Sequence, residues 1–337
     1  MAGKYKVGIV GYGTIGKRVA DAVMLQKDME LIGVTGHSYN FRMEVANLEK
    51  IKIFSMDGKG DFEDNGIKVA GDVNDLLDAV DIIVDCTPKK IGAEHKEKYY
   101  LPKKVKAIFQ GGEKPDVADC SFVAQCNYNE ALNKDYVRVV SCNTTGLSRT
   151  LHALDNKFGI VDVCATMVRR GADPGDIFHG PINAIVPVLE LPSHHGPDVK
   201  TVLHDMEIFT TALSVSSTLM HVHTLTCEMK KEVRVEDVIE VFKNTTRIRL
   251  VRNAEKVRST AEIIEMARDL GAKRGDMPEI CIWEEAIGTH KKKLFYIQAV
   301  HQESDVVPEN IDCIRAMMGF KDGEKSVEMT NKSLGIK

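Results

Sequence analysis

What this chain of 337 residues does not contain excludes several function classes. It has no surplus of positive charge. Lys and Arg number 45 against 49 Asp and Glu, a net −4, so nothing advertises nucleic-acid binding. No apolar run reaches the roughly 18 residues of a membrane span, so no membrane association is expected. No like-charge block, internal repeat or low-complexity tract interrupts the sequence. The N-terminus runs from Met1 to Lys6 straight into a strand-like segment, with neither signal-peptide core nor cleavage site, so a cytoplasmic location is expected. Eight cysteines include no C-x-x-C pair. A cysteine-built zinc cage is therefore not expected, and a reducing compartment is. The absence of G-x-S-x-G removes the nucleophile elbow of the α/β-hydrolases.

What is present suits two domains of ordinary size. Apolar residues make up 43% and charged residues 28%, which supports a packed core. Lys4 to Val10 reads as a buried strand. It runs into Gly11-Tyr12-Gly13-Thr14-Ile15-Gly16, then a helix over 17–26 with Val19, Ala20, Val23 and Met24 on one face, then a strand over Met29 to Thr35. Strand, glycine turn, helix and strand within about 30 residues form the βαβ unit of a doubly wound sheet. In that context each glycine has its own task. Gly11 permits the tight turn, Gly13 admits a pyrophosphate to the backbone, and Gly16 lets helix pack on strand.

Beyond it, residues 40–70 show little pattern except a polar turn over 61–66. A short helix over 73–77 follows, then strands at 81–86, 105–109 and 136–141, with a helix over 92–100. The first 140 residues thus read as a Rossmann-type α/β dinucleotide-binding domain. After residue 141 the character changes. Leu147, Leu151, Leu154 and Phe158 make one apolar helix stripe, opened by Cys142-Asn143-Thr144-Thr145 and closed by Gly159. Strands over 160–170, 217–230, 247–251 and 293–302, with helices over 235–243 and 259–270 between them, suggest an α+β catalytic domain on a mixed or antiparallel sheet. Residues 305–319 read as an amphipathic helix.

Cys142 stands where a strand ends and a helix begins. A helix dipole and unpaired N–H groups favour a thiolate there, so Cys142 is the candidate nucleophile. Cys86, Cys164 and Cys313 read as packing residues inside apolar runs. A nucleophilic thiol beside a dinucleotide domain points to aldehyde oxidation through a thiohemiacetal and a thioester.

The runs Gly11–Gly16, Gln110–Glu113 (QGGE), Ser141–Leu147 (SCNTTGL), Arg169–Asp173 (RRGAD), Gly180–Pro187 (GPINAIVP), Pro192–Lys200 (PSHHGPDVK), Leu219–His223 (LMHVH) and Ala299–Ala316 (AVHQESDVVPENIDCIRA) together resemble the archaeal-type phosphorylating glyceraldehyde-3-phosphate dehydrogenases. The resemblance implies a homotetramer of two-domain subunits. A cofactor domain, residues 1–140, would be completed by the C-terminal helix within 303–337, and residues 141–302 would form the catalytic domain. It implies the interconversion of glyceraldehyde 3-phosphate, inorganic phosphate and NAD or NADP with 1,3-bisphosphoglycerate and the reduced cofactor. It makes Cys142 the nucleophile and His221 the base, and puts Ser141, Asn143, His194 and His195 at the substrate. It also makes Thr14, Ile15, Gly112, Arg170 and Gln302 cofactor contacts.

The residues themselves leave alternatives open. His221 and His223 share one face of a strand, a pairing that suits proton transfer, a structural pair or, with His194 and His195, a metal. No acidic residue falls in those pieces, and no metal is expected. Arg169, Arg170 and Lys200 are candidates for phosphate. The end of the second strand, Thr35-Gly36-His37-Ser38-Tyr39, has no carboxylate for a ribose hydroxyl. That predicts use of both cofactors, with His37, Ser38 and Arg42 available to a 2′-phosphate. An aspartate-semialdehyde-dehydrogenase-like enzyme and a non-catalytic dinucleotide sensor are the competing readings.

Overall fold

The computed structural model describes residues 3–58, 60–110, 112–172 and 180–336. Gly111 of the QGGE run, Asp173 of the RRGAD run and Lys337 lie outside them. Two compact units result, Met1–Ser141 with Val307–Gly335, and Cys142–Val306 with Ile336–Lys337.

The first unit is a sheet of eight strands: β1 (Tyr5–Val10), β2 (Met29–Gly36), β3 (Ile53–Ser55), β4 (Gly71–Asp72), β5 (Ile82–Asp85), β6 (Lys106–Phe109), β7 (Cys120–Phe122) and β8 (Tyr136–Val139). Their order is β4-β3-β2-β1-β5-β6-β8-β7, and every pairing is parallel. Parallel strands are covered on both faces, which is why β1 and β5 are runs of fully buried Val and Ile. The order reverses between β1 and β5. Ligands of open α/β sheets bind outside the carboxyl ends of the strands at such a point, and there the glycine turn leaves β1.

The helix Gly16–Met24 buries Val19, Ala20 and Val23, while Met24 points outward. Residues 40–70, unreadable in sequence, form the helix Phe41–Leu48, strand β3 and a short helix, Gly60–Asp64, where a polar turn was expected. The first of these carries exposed Phe41, Val45 and Leu48, so its apolar spacing does not mark a buried face. Its start is set by Asn40, whose Oδ1 accepts the N–H groups of Arg42 and Met43.

The chain returns to this unit as the helices Val307–Met317 and Gly323–Leu334. Arg315 binds them to the sheet. Its buried guanidinium reaches Asp28 at 2.8 and 3.0 Å, Gln26 at 2.8 Å and Thr330 at 2.7 Å. The second of these helices, capped by Asp322, is a separate element that the sequence pattern did not announce.

The second unit is a mixed sheet: β9 (Ile160–Arg170), β10 (Val186–Pro187), β11 (Ile208–Val215), β12 (His221–Met229), β13 (Ile248–Val251), β14 (Ile280–Trp283), β15 (Gly288–His290) and β16 (Lys293–Val300). Seven strands run in the order β10-β11-β9-β12-β16-β14-β13, with β15 paired to β16. The sequence pattern announced four of the eight. It missed β11, whose polar Thr and Ser interrupt the apolar pattern, and the short β10, β14 and β15. The helix Cys142–Phe158 lays Leu147, Leu151 and Leu154 against this sheet, in a core with Val163, Met167, Phe242 and Tyr296. Gly159, at φ +75°, ends it.

Candidate active site

The glycine turn shows a division of labour at atomic detail. Gly11 has φ +87°. A Cβ on Gly16 would stand 1.9 Å from the Gly11 carbonyl oxygen, so only glycine lets this helix pack so closely. A Cβ on Gly13 would meet nothing within 4 Å, so this side of the turn is open. The nine-residue helix Gly16–Met24 begins directly after this turn, and Lys17 N–H is bonded back to the Gly13 carbonyl at 3.2 Å. Thr14 and Ile15 lie in the turn, where the Thr14 carbonyl accepts the Arg18 guanidinium at 2.8 Å. Gly112 is exposed in the loop after β6.

The end of β2 has no carboxylate, as the sequence indicates, and the loop after β3 brings Asp57 against it. Asp57 Oδ2 lies 2.5 Å from His37 Nδ1, and Asp61 accepts the Tyr39 backbone N–H at 2.5 Å. Of the residues offered to a 2′-phosphate, His37 is engaged by a carboxylate, and the Arg42 guanidinium lies 5.0 Å over the Phe41 ring.

Cys142 is the first residue of its helix, preceded by Ser141 at the end of the first unit. The expected thiolate is not what the surroundings favour. Burial, and after it the Asp305 carboxylate, push the thiol up to about 12. Arg170, the Asn143 backbone N–H and Arg169 pull it down but do not prevail. Dipoles at a helix start stabilise an anion by one or two kcal/mol, less than the cost of removing a thiolate from water. The resting nucleophile is thus a neutral thiol. Cys313 is buried as expected, whereas Cys164 is exposed.

The histidines fall into two groups. His221, buried at the start of β12, accepts the Arg170 backbone N–H on Nδ1 at 3.1 Å. Burial first, then the neighbouring His223, Arg170, Arg169 and His195, hold it well below the ordinary imidazole range. It is neutral near pH 7, and its proton is on Nε2.

His223 and His195 belong to a continuous chain of hydrogen bonds. Gln298 Nε2 donates to His223 Nδ1 at 3.0 Å, and His223 Nε2 donates to Asn143 Oδ1 at 2.8 Å. Asn143 Nδ2 faces His195 Nε2 at 3.4 Å, and His195 Nδ1 donates to Ser193 Oγ at 3.1 Å. Burial takes both imidazoles down to about 3. With both ring nitrogens of each occupied, a four-histidine metal site would have to break this chain. His194 is exposed and stacks on His195, ring centroids 4.0 Å apart.

Arg169 and Arg170 end β9 and act on both Cys142 and His221. Arg169 Nε is buried without a hydrogen-bond partner among the described residues, as a donor awaiting an anion would be. Lys200 is instead paired with Glu207 at 2.9 Å. Gln302 follows β16 and is buried. Its Oε1 accepts no hydrogen bond among the described residues, which suits a polar ligand. Sequence reasoning overlooked Gln298, Ser193, Thr210 and Asp305. A glutamine inside the apolar run FYIQAV, opposite His223 in the β12–β16 register, is the signal that marks the first of them.

A family model described as "Glyceraldehyde 3-phosphate dehydrogenase, C-terminal domain" matches residues 141–285. Proteins named glyceraldehyde-3-phosphate dehydrogenase from Methanococcoides burtonii, Thermococcus kodakarensis and Thermoplasma volcanium are 53%, 54% and 50% identical to this chain. The first two matches cover 99% of both partners and the third 98%. At that identity and coverage, with the doubly wound sheet and the cysteine-headed helix in place, the chain belongs to the glyceraldehyde-3-phosphate dehydrogenase family.

Proposed function

We propose that the protein catalyses the phosphorylating oxidation of D-glyceraldehyde 3-phosphate to 1,3-bisphosphoglycerate, and its reverse, with NAD or NADP, in glycolysis and gluconeogenesis. The first unit binds the cofactor at the glycine turn through Gly11, Gly13, Thr14, Ile15 and Gly16, with Gly112 in the loop after β6. Arg170 and Gln302 are further cofactor contacts. The second unit carries the chemistry. The observation that carries this reading is the neighbourhood of Cys142: a thiol at the head of a helix, two arginines from one strand end, and a neutral histidine bound to one of them.

Bound NAD or NADP would supply the hydride acceptor. Cys142 Sγ attacks the aldehyde carbon, the carbonyl oxygen gains the electron pair, and the thiol proton ends on that oxygen as the thiohemiacetal hydroxyl. His221 donates to that oxygen through its Nε2–H; the occupied Nδ1, which accepts the Arg170 backbone N–H, supports this role. Loss of hydride from the same carbon restores the carbonyl as a thioester on Cys142. A phosphate oxygen then attacks the thioester, and the sulfur leaves with the bonding pair; the cycle releases one proton. The resemblance makes His221 the base; in the tautomer seen here it is first a donor. Ser141, Asn143, His194 and His195 contact substrate, and Arg169 and Arg170 hold phosphate in preference to Lys200.

The protein assembles with copies of itself into a tetramer and works in the cytoplasm. Support for self-association is the segment of the second unit where Ile182, Ile185, Leu189 and Leu191 are 86%, 68%, 87% and 60% exposed, beside the edge strand β10. Support for the location is the family's glycolytic reaction and eight cysteines that are all free. Among the described residues no helix is long and apolar enough to cross a membrane.

The test is to follow nicotinamide reduction with glyceraldehyde 3-phosphate in the presence and absence of inorganic phosphate. Turnover that needs phosphate supports the reading. Turnover with aspartate semialdehyde alone, or with no aldehyde, refutes it.

A further inference from the structure

We propose that Gln298 and His223 are positioning residues for this reaction, which hold Asn143 against the Cys142 sulfur without touching it themselves. The inference rests on the proposed role of Cys142 as nucleophile.

The hydrogen bonds around Asn143 have one sense from end to end. An amide nitrogen can only donate, so Gln298 Nε2 leaves His223 Nδ1 bare and puts the ring proton on Nε2. That proton goes to Asn143 Oδ1, which fixes the amide with Nδ2 toward His195 Nε2. His195 then has its proton on Nδ1 and gives it to Ser193 Oγ. Ser193 Oγ donates to Thr210 Oγ1 at 2.9 Å, and Thr210 Oγ1 donates to the Ser193 carbonyl at 2.9 Å, which ends the chain. Gln298, His223, Ser193 and Thr210 are 0% exposed, His195 1% and Asn143 4%. At that burial each broken link would leave a buried polar atom unsatisfied.

The centre of the chain lies next to the nucleophile. Asn143 follows Cys142 directly in the first turn of the helix, and its backbone N–H, with Arg170 and Arg169, favours the thiolate against burial and Asp305. Holding the Asn143 side chain from both sides fixes the helix turn that carries Cys142. The β12–β16 register sets Gln298 directly opposite His223, so the strand pairing itself supplies the first link.

The chain could also run in the opposite sense. Gln298 Oε1 is buried and accepts no hydrogen bond among the described residues. Only the choice of Nε2 as the facing atom sets the observed sense, and a residue at 298 that cannot donate would impose the other. Gln298→Glu keeps the size and can only accept. It forces the His223 proton onto Nδ1 and leaves Nε2 bare, so the Asn143 amide must turn over to donate through Nδ2, and its contact with His195 is reset. Gln298→Leu removes the link.

Three measurements on the full-length protein test this, none of which needs turnover. In wild type labelled with ¹⁵N-histidine, the three buried rings of the site should be neutral near pH 7, His221 and His223 protonated on Nε2 and His195 on Nδ1, and the Nε2-protonated signal of His223 should vanish in Gln298→Glu. The pH profile of Cys142 alkylation by iodoacetamide should move upward in Gln298→Glu and Gln298→Leu. At fixed neutral pH the alkylation rate should fall about tenfold for each unit of that movement. NAD binding, measured by fluorescence titration, should stay within about twofold, which also reports that the variants fold. An Nδ1-protonated His223 in wild type, or a Cys142 profile unmoved in both variants, overturns the proposal. Loss of aldehyde oxidation in the wild type would instead sink the functional reading, whichever tautomer is found.

Discussion

His221 Nδ1 accepts the Arg170 backbone N–H at 3.1 Å, and this one bond decides which nitrogen of the buried imidazole faces outward with a proton. The ring lies well below its usual titration range, because burial, and then His223, Arg170 and Arg169, oppose a charge there. His221 therefore stays neutral through physiological pH. Replacing it by Asn should lower kcat about 10²- to 10⁴-fold through lost proton donation, with KM for the cofactor unchanged. An unaltered kcat would move the role to His223 or His195.

Because the Cys142 thiol is raised to about 12, the thiolate fraction grows with every step upward in pH over the accessible range. Alkylation of Cys142 in the apo protein should thus keep rising beyond pH 9 and show no plateau near 7. A plateau near neutrality would mean that Arg169, Arg170 and the helix start outweigh burial. Cys142→Ser should abolish aldehyde oxidation with cofactor affinity nearly intact, since a hydroxyl is far less ionised than a thiol.

Asp57, in the loop after β3, stands against His37 at the end of β2. A carboxylate there accepts a ribose hydroxyl and repels a 2′-phosphate. Asp57→Asn should therefore raise kcat/KM for NADP relative to NAD, and steady-state comparison of the two cofactors reads the change directly. An unchanged ratio would remove Asp57 from cofactor selection.

His195 and His223 are both held near 3 in the fold, below the unfolded value of 6.5. Between those limits the unfolded chain binds more protons, so stability is full above pH 6.5 and declines as pH falls toward 3. Each histidine contributes a slope on the order of 1.4 kcal/mol per pH unit. Urea unfolding followed at Trp283, the sole tryptophan and a member of the second unit, should show a shallower pH dependence between 6 and 4 in His223→Gln.

The exposed apolar segment around Ile182 and Leu189 gives a separate expectation. Ile182→Asp with Leu189→Asp should lower the oligomeric state in sedimentation velocity, because a charge cannot be buried unpaired in an apolar contact. An unchanged mass would place self-association elsewhere.

The glycine turn, the strands of the first sheet next to it, and the cysteine at the head of the Leu147–Leu154–Phe158 stripe are legible in the residues alone. Each is a local pattern: a fixed spacing, a continuous apolar run, or a residue at an element boundary. β11, whose Thr and Ser break the apolar pattern, left no such trace. Three decisions belonged to the tertiary structure alone. The Asp57 carboxylate reaches His37 from the loop after β3, across 20 residues of chain. The direction of the Gln298–His223–Asn143–His195 hydrogen bonds depends on partners up to 80 residues apart. The protonation of Cys142 follows from burial, which position at a helix start does not reveal. Local spacing encodes backbone conformation, but dielectric environment and long-range hydrogen bonding exist only once distant segments are packed together.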